Sequence, residues 1–216
     1  MKLRATIAAF IVTISISMTI PGTATARAMP DRAEIFATNE TASSFDPNDP
    51  ALRTRLVRFG RQVETIIRQN GGSTHGSTLL NGTFWSSDLK KADYERSREF
   101  HVGHADAAEI HAIAHQIAVR FHQQSVLTFR YLPKTSPSVD AVLVEVPDVD
   151  FQRLHDALEA DPVLGERLGG GSVTLDRRLI EAGARSDLSL IRQLVAEARG
   201  DWTKATIRYG TWEFVS

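Results

Sequence analysis

The chain predicts an α+β domain, and three observations carry that expectation. Apolar residues recur every three to four positions in some stretches and alternate every second position in others, the periods of helix and strand. From Arg98 to Glu181 these stretches follow one another as strand, helix, strand, strand, helix, strand. The composition is that of a packed protein, 42% hydrophobic and 24% charged, so a core is affordable on folding.

The first clear helix opens at Asp49-Pro50, an N-cap residue followed by proline at the first helical position. Leu52, Leu56, Phe59, Val63, Ile66 and Ile67 form its apolar stripe, and Asn70-Gly71-Gly72 supplies the stop. Arg53, Arg55, Arg58, Arg61 and Arg68 share this amphipathic helix, but they do not gather into one basic face and read as its solvated side. In the stretch that follows, Asn81-Gly82 between short β-prone pieces predicts a small hairpin. Gly71 to Ser77 is glycine-rich but follows a helix and lacks the Gly-Lys-Ser/Thr ending, so it is no phosphate loop.

Arg98 to Val102 reads as a strand. Asp106 and Glu109 then form a capping box for a helix with Ile110, Ile113, Ala114, Ile117 and Phe121 on its buried side. Ser125–Leu132 alternates as a strand and Pro133 to Pro137 breaks it. Ala141 to Val146 is apolar on nearly both faces, as a central strand would be. Phe151, Leu154 and Leu158 mark another helix, ended by Asp161-Pro162, and Ser172 to Glu181 suggests one more strand. This order is a ferredoxin-like β-α-β-β-α-β sandwich, four antiparallel strands with two helices on one face. A C-terminal helix (Leu188, Ile191, Leu194, Val195) and a strand (Ile207, Tyr209, Trp212, Phe214) are added to it.

The domain organisation begins with a secretory signal over residues 1–28. Lys2 and Arg4 are followed by the apolar run Ala5–Ile20, then Pro21-Gly22 and small-residue cleavage positions after Ala26 or Ala28. The run is shorter than the roughly 20 residues that span a bilayer, so no stable membrane anchor is expected after cleavage. The expected product is secreted or periplasmic. Residues 29–49 are polar and read as a mobile spacer, 50–97 as the helix and hairpin region, and 98–216 as the α+β domain. The chain has no Cys, so no disulfide can staple the fold outside the cytoplasm. Removal of the signal takes Lys2, Arg4 and Arg27 from a chain already at net charge −1. The acidic remainder is not built to coat a nucleic acid.

Chemistry has few candidates. There is no Cys nucleophile and no Gly-x-Ser-x-Gly elbow. Of the seven His, His101, His104, His111 and His115 concentrate around one helix start, with His122 seven residues further on. His111 and His115 are four apart, on one helical face, and could share a zinc ion if His101 or His104 supplied a third ligand. The zinc-protease helix needs Glu after its first His; Ala112 stands there. Trp85, Trp202 and Trp212 with Tyr209 are the candidates for an aromatic binding surface, but Trp212 and Tyr209 sit in the last strand, where aromatics pack across a sheet. The expectation is therefore an exported, non-enzymatic binding or interaction module, with a protein partner on the open face of the sheet. The alternatives are a metal-assisted hydrolase built on the His cluster, and a module that self-associates through its last strand.

Overall fold

The computed structural model describes residues 32–39, 52–86 and 91–216. The signal segment and its cleavage positions lie outside the described residues, as does the Asp49-Pro50 helix start. The strands are β1 (Arg32–Thr38), β2 (Ser73–Ser86), β3 (Lys91–Gly103), β4 (Val126–Tyr131), β5 (Ala141–Val146), β6 (Leu168–Thr174), β7 (Leu179–Ala184) and β8 (Thr206–Val215). The helices are α1 (Leu52–Gln69), α2 (Ala107–Phe121), α3 (Phe151–Ala160), α4 (Pro162–Arg167) and α5 (Leu188–Glu197).

The α+β class is as expected, but the sheet is a closed barrel in the order β1-β3-β2-β6-β7-β5-β8-β4. Every pairing is antiparallel. The chain builds it in two passes. β1-α1-β2-β3-α2-β4 lays its strands in the order β2-β3-β1-β4, and β5-α3-α4-β6-β7-α5-β8 repeats this as β6-β7-β5-β8. The passes join through β2 with β6 and β4 with β8. The strand-helix order read from the sequence thus belongs to two units, and the frame that began at Arg98 took the end of one with the start of the next.

Several boundaries shift with that frame. The polar stretch expected as a mobile spacer contains β1, which is paired on both sides. Ala33, Ile35 and Ala37 are buried against the helices, so alternation supplies the apolar face that a count of apolar residues hides. β3 runs through the expected division at residues 97 and 98. Asn81-Gly82 is not a turn: Asn81 pairs with Arg96 and Gly82 with both Glu95 and Ser172, because neighbours on both edges outweigh local turn preference. Ser172 to Glu181 is not one strand but the β6–β7 hairpin, closed by backbone bonds between Thr174 and both Arg177 and Arg178. Arg177 takes the left-handed conformation there (φ 65°).

Three cores follow from the alternation of side chains across the barrel wall. Outside the first unit, Phe59 of α1 meets Phe100 of β3 and Phe121 of α2 edge-on, with ring centres 5.9 and 4.7 Å apart. Outside the second, Val142, Val144 and Leu179 pack under Leu154, Ile191 and Leu194. Inside the barrel, Leu80, Leu127, Phe129, Ala141, Leu143, Ile180 and Ala182 fill the lumen, with Phe36, Tyr131 and Trp212 against them. The sheet face expected to lie open for a partner is this filled interior. β8, expected as a free edge for self-association, is paired with both β4 and β5. Among the described residues no helix is long and apolar enough to cross a membrane.

One buried carboxyl stands apart from this packing. Glu181 alternates with Ile180 and Ala182, which face the lumen, so its side chain lies on the outer side, across Gly171, where any Cβ would collide with it. One of its oxygens has no hydrogen-bond partner, and burial pushes its pKa from 4.5 to about 8, against a bond from the Gly170 backbone. Because the folded-state pKa is raised, Glu181 leaves stability untouched below about pH 4.5. It destabilises the fold increasingly as pH rises to about 8, at up to about 1.4 kcal/mol per pH unit. Glu181→Gln is expected to gain stability over the natural chain between pH 5 and pH 8 in urea titrations. Parallel stability curves across that range would contradict this.

Candidate metal centre

The lumen is apolar along most of its length and polar at one end. β1 and β3 meet with Glu34 directly opposite His101, and Glu99, two residues before His101, faces the same way. Tyr131 ends β4 beside them. These strands place the polar side chains without help from a loop, so their backbones are held by ladder bonds on both sides. Across the opening, Glu145 at the end of β5, Arg178 from the β6–β7 hairpin and Arg208 of β8 form a second wall. The walls enclose a cavity of about 310 Å³, with Arg32, His75 and Val102 completing its lining.

The first wall is a hydrogen-bonded chain. His101 Nδ1 lies 2.6 Å from Glu34 Oε2, and the Tyr131 hydroxyl donates to Glu34 Oε1 at 2.9 Å. Thr78 Oγ1 is 3.3 Å from His101 Nε2. Glu34 is only 7% exposed and Glu99 only 3%. The short contact is of the charge-assisted kind, and the bond to Glu34 raises the His101 pKa despite burial. The Glu99 carboxyl is pushed up to about 7, first by burial and then by the Glu34 charge beside it. Burial, the Glu34 charge and the bond to Glu34 likewise raise the Tyr131 pKa, which keeps its proton on the phenol. Glu99 Oε2 is buried with no hydrogen-bond partner.

Ligand atoms of Glu34, Glu99 and His101 all lie within 4.8 Å of one another. They are the only such group of three His, Asp or Glu among the described residues. Two carboxylates and an imidazole make a donor set of the kind taken by zinc and neighbouring divalent ions. Tyr131 on Glu34 and Thr78 on His101 hold the donors in place, as outer partners do around metal ligands. The chain is thus a small globular domain with a buried acidic and histidine cluster that could bind a zinc-like ion.

Of the four His expected to gather, only His101 is in this group. His104 sits exposed in the turn after β3, in the left-handed conformation (φ 58°). His111 and His115 lie on α2 outside the barrel, with their Nδ1 atoms 2.9 Å from Glu213 Oε1 and 2.7 Å from the Ser216 carbonyl oxygen. The barrel wall separates that face from His101. His122 caps the C-terminal end of α2. Glu99-x-His101 was legible as two polar residues on one face of a strand. Glu34 had no signal of its own, because it becomes a neighbour of His101 only once β1 is recognised as a strand.

The second wall balances one carboxylate against two guanidinium groups. Arg178 Nη1 donates to Glu145 Oε2, and Arg208 Nε lies 3.3 Å from Glu145 Oε1. The Arg208 guanidinium also stacks over the Tyr131 ring, 5.6 Å from its centre, and so touches the group that holds Glu34.

No family model matches this chain, and no curated protein matches it significantly. Among solved structures it is similar to three. One is a protein from Lactobacillus acidophilus NCFM assigned as a monooxygenase, at 13% identity, over 87% of this chain and 96% of that one, with a TM-score of 0.24. Another is assigned as a glycine cleavage system transcriptional repressor, at 14% identity, 88% and 99% coverage and a TM-score of 0.25. The third is the small subunit of acetolactate synthase from Thermotoga maritima, at 15% identity, 87% and 98% coverage and a TM-score of 0.24. Likeness at these scores carries no argument about fold or activity, so the site is read from its own residues.

If the Glu34 carboxylate is what holds the His101 proton, Glu34→Gln should lower the His101 pKa. A titration followed by the imidazole NMR signals measures it, and an unchanged midpoint would mean the 2.6 Å contact is not the cause.

Proposed function

We propose that this protein binds a divalent transition metal, zinc in the first instance, through Glu34, Glu99 and His101, and that the site supports metal-assisted hydrolysis in the barrel mouth. The observation that carries the reading is Glu99, whose Oε2 is a buried acceptor without a partner and which has a carboxylate oxygen within 4.8 Å of ligand atoms of Glu34 and His101. An unpaired buried carboxylate is costly to keep, and a cation is the partner that removes the cost. A bound zinc ion supplies Lewis acidity. The chain's own residues do the rest: Tyr131 orients Glu34, Thr78 orients His101, and the arginine wall faces the same space. Loading the site requires the proton between His101 and Glu34 to leave, so zinc and protons compete.

The N-terminal order of charge, apolar run and small residues supports export of the domain to the periplasm or beyond. The pairing of each half, with its first strand between its third and fourth, supports reading each as a ferredoxin-like unit and the barrel as two of them edge to edge.

The test is calorimetric titration of tag-free protein with zinc. One zinc per chain is expected, with affinity at least tenfold lower in His101→Ala and in Glu99→Gln and unchanged in the His111→Ala/His115→Ala double variant. Affinity should rise from pH 6 to pH 8, because both Glu99 and His101 hold protons more tightly than usual and must release them. Absence of stoichiometric zinc, or loss of it only in the double variant, would overturn the assignment.

A further inference from the structure

The cavity in front of the cluster has its own charge pattern. Glu34, Glu99 and Glu145 line it together with Arg32, Arg178 and Arg208, so the formal charges cancel with the His residues neutral. A divalent ion at Glu34, Glu99 and His101 leaves this space with two positive charges in excess. Such an excess in a partly enclosed cleft attracts an anion, since low-dielectric walls focus the field.

The arginine wall gives that anion a place. Arg178 and Arg208 share the single carboxylate of Glu145, which neutralises only one of them. Arg208 meets Glu145 through Nε at 3.3 Å, and its side chain stays 47% exposed at the cavity. Its plane is fixed from two sides, by Glu145 and by the Tyr131 ring 5.6 Å away. A guanidinium placed between a carboxylate and an aromatic face, with part of its side chain still exposed, is suited to the paired oxygens of a carboxylate or phosphate. Tyr131 connects this arginine to Glu34, so one aromatic ring links the anion wall to the metal wall. The volume of about 310 Å³ is at the low end for ligand pockets and sets the occupant as a small molecule.

We propose that the barrel mouth binds a small molecule bearing a carboxylate or phosphate-type oxyanion, with Arg208 and Arg178 as its anchors and the oxyanion turned toward Glu34, Glu99 and His101. This rests on the metal reading of that cluster. The ligand is then a substrate or product that carries negative charge at the reacting end, and an uncharged ester of the same size is a poor occupant.

The experiment titrates the whole protein with methylphosphonate and, separately, with malonate, each with and without one equivalent of zinc. At least one probe is expected to bind at least tenfold more tightly to the zinc-loaded protein, and saturating probe should tighten zinc by the same factor. Which probe shows the coupling separates a phosphate-type from a carboxylate-type ligand. Arg208→Gln should still take up one zinc per chain yet lose at least tenfold in probe affinity. Arg208→Lys, which keeps the charge without the planar fork, should lose less. Zinc uptake with no coupling to either probe, or Arg208→Gln equal to the natural chain, would overturn the anion site and leave the metal site standing. Absence of zinc uptake by the natural chain would overturn both.

Discussion

Closure of the barrel is the constraint on which the rest depends. An antiparallel sheet with helices on one face normally leaves the other to water. Here two such sheets join along β2 with β6 and along β4 with β8, and what would have been wet faces become a single lumen. Apolar residues from four strands fill that lumen, with Phe36 of β1 and Trp212 of β8 packed against them. A carboxylate that would have been solvated on an open sheet becomes, after closure, a group almost without water. The 3% exposure of Glu99 and its raised pKa both follow from this one event.

The two units do not share the lumen equally. Lumen-facing positions of the second unit include Ala141, Leu143, Ile180 and Ala182, while the first contributes Glu34, Glu99 and His101 at one end. The second unit reaches that end only with Glu145, Arg178 and Arg208, where β5 finishes, the β6–β7 hairpin turns and β8 begins. One unit thus supplies donor atoms and the other supplies cations. The polar end needs both, since Tyr131 of the first stacks under Arg208 of the second. Neither unit alone contains the whole lining.

Polar groups in a closed interior are destabilising unless each has a partner, and the arrangement shows how far partnering goes. Glu34 has two, His101 has two, and Glu145 has two guanidinium groups. Glu99 keeps one oxygen without any. Glu181, on the opposite side of the wall, has the same defect but belongs to no group of three such donors among the described residues, so it reads as a burden on stability and not as a site. The difference is neighbourhood: an orphaned acceptor suggests a ligand only where other donors converge on it.

Local pattern alone determined much of this protein. The apolar stripes of α1 and α2, the Asp106–Glu109 capping box, the Asp161-Pro162 break and the strand character of Val126–Tyr131 and Ala141–Val146 all depend on residues a few positions apart. Periodicity and capping record such contacts directly. Tertiary structure alone decided that β1 is a strand, that Asn81-Gly82 runs straight, that the element order occurs twice and that the sheets close. It also decided which histidine matters. Glu34 and His101 are 67 residues apart in the chain and 2.6 Å apart in space, while His111 and His115, neighbours in sequence, face β8 from outside the wall. Pairing between distant strands leaves no periodic trace in either one, so the site became visible only when the barrel closed around it.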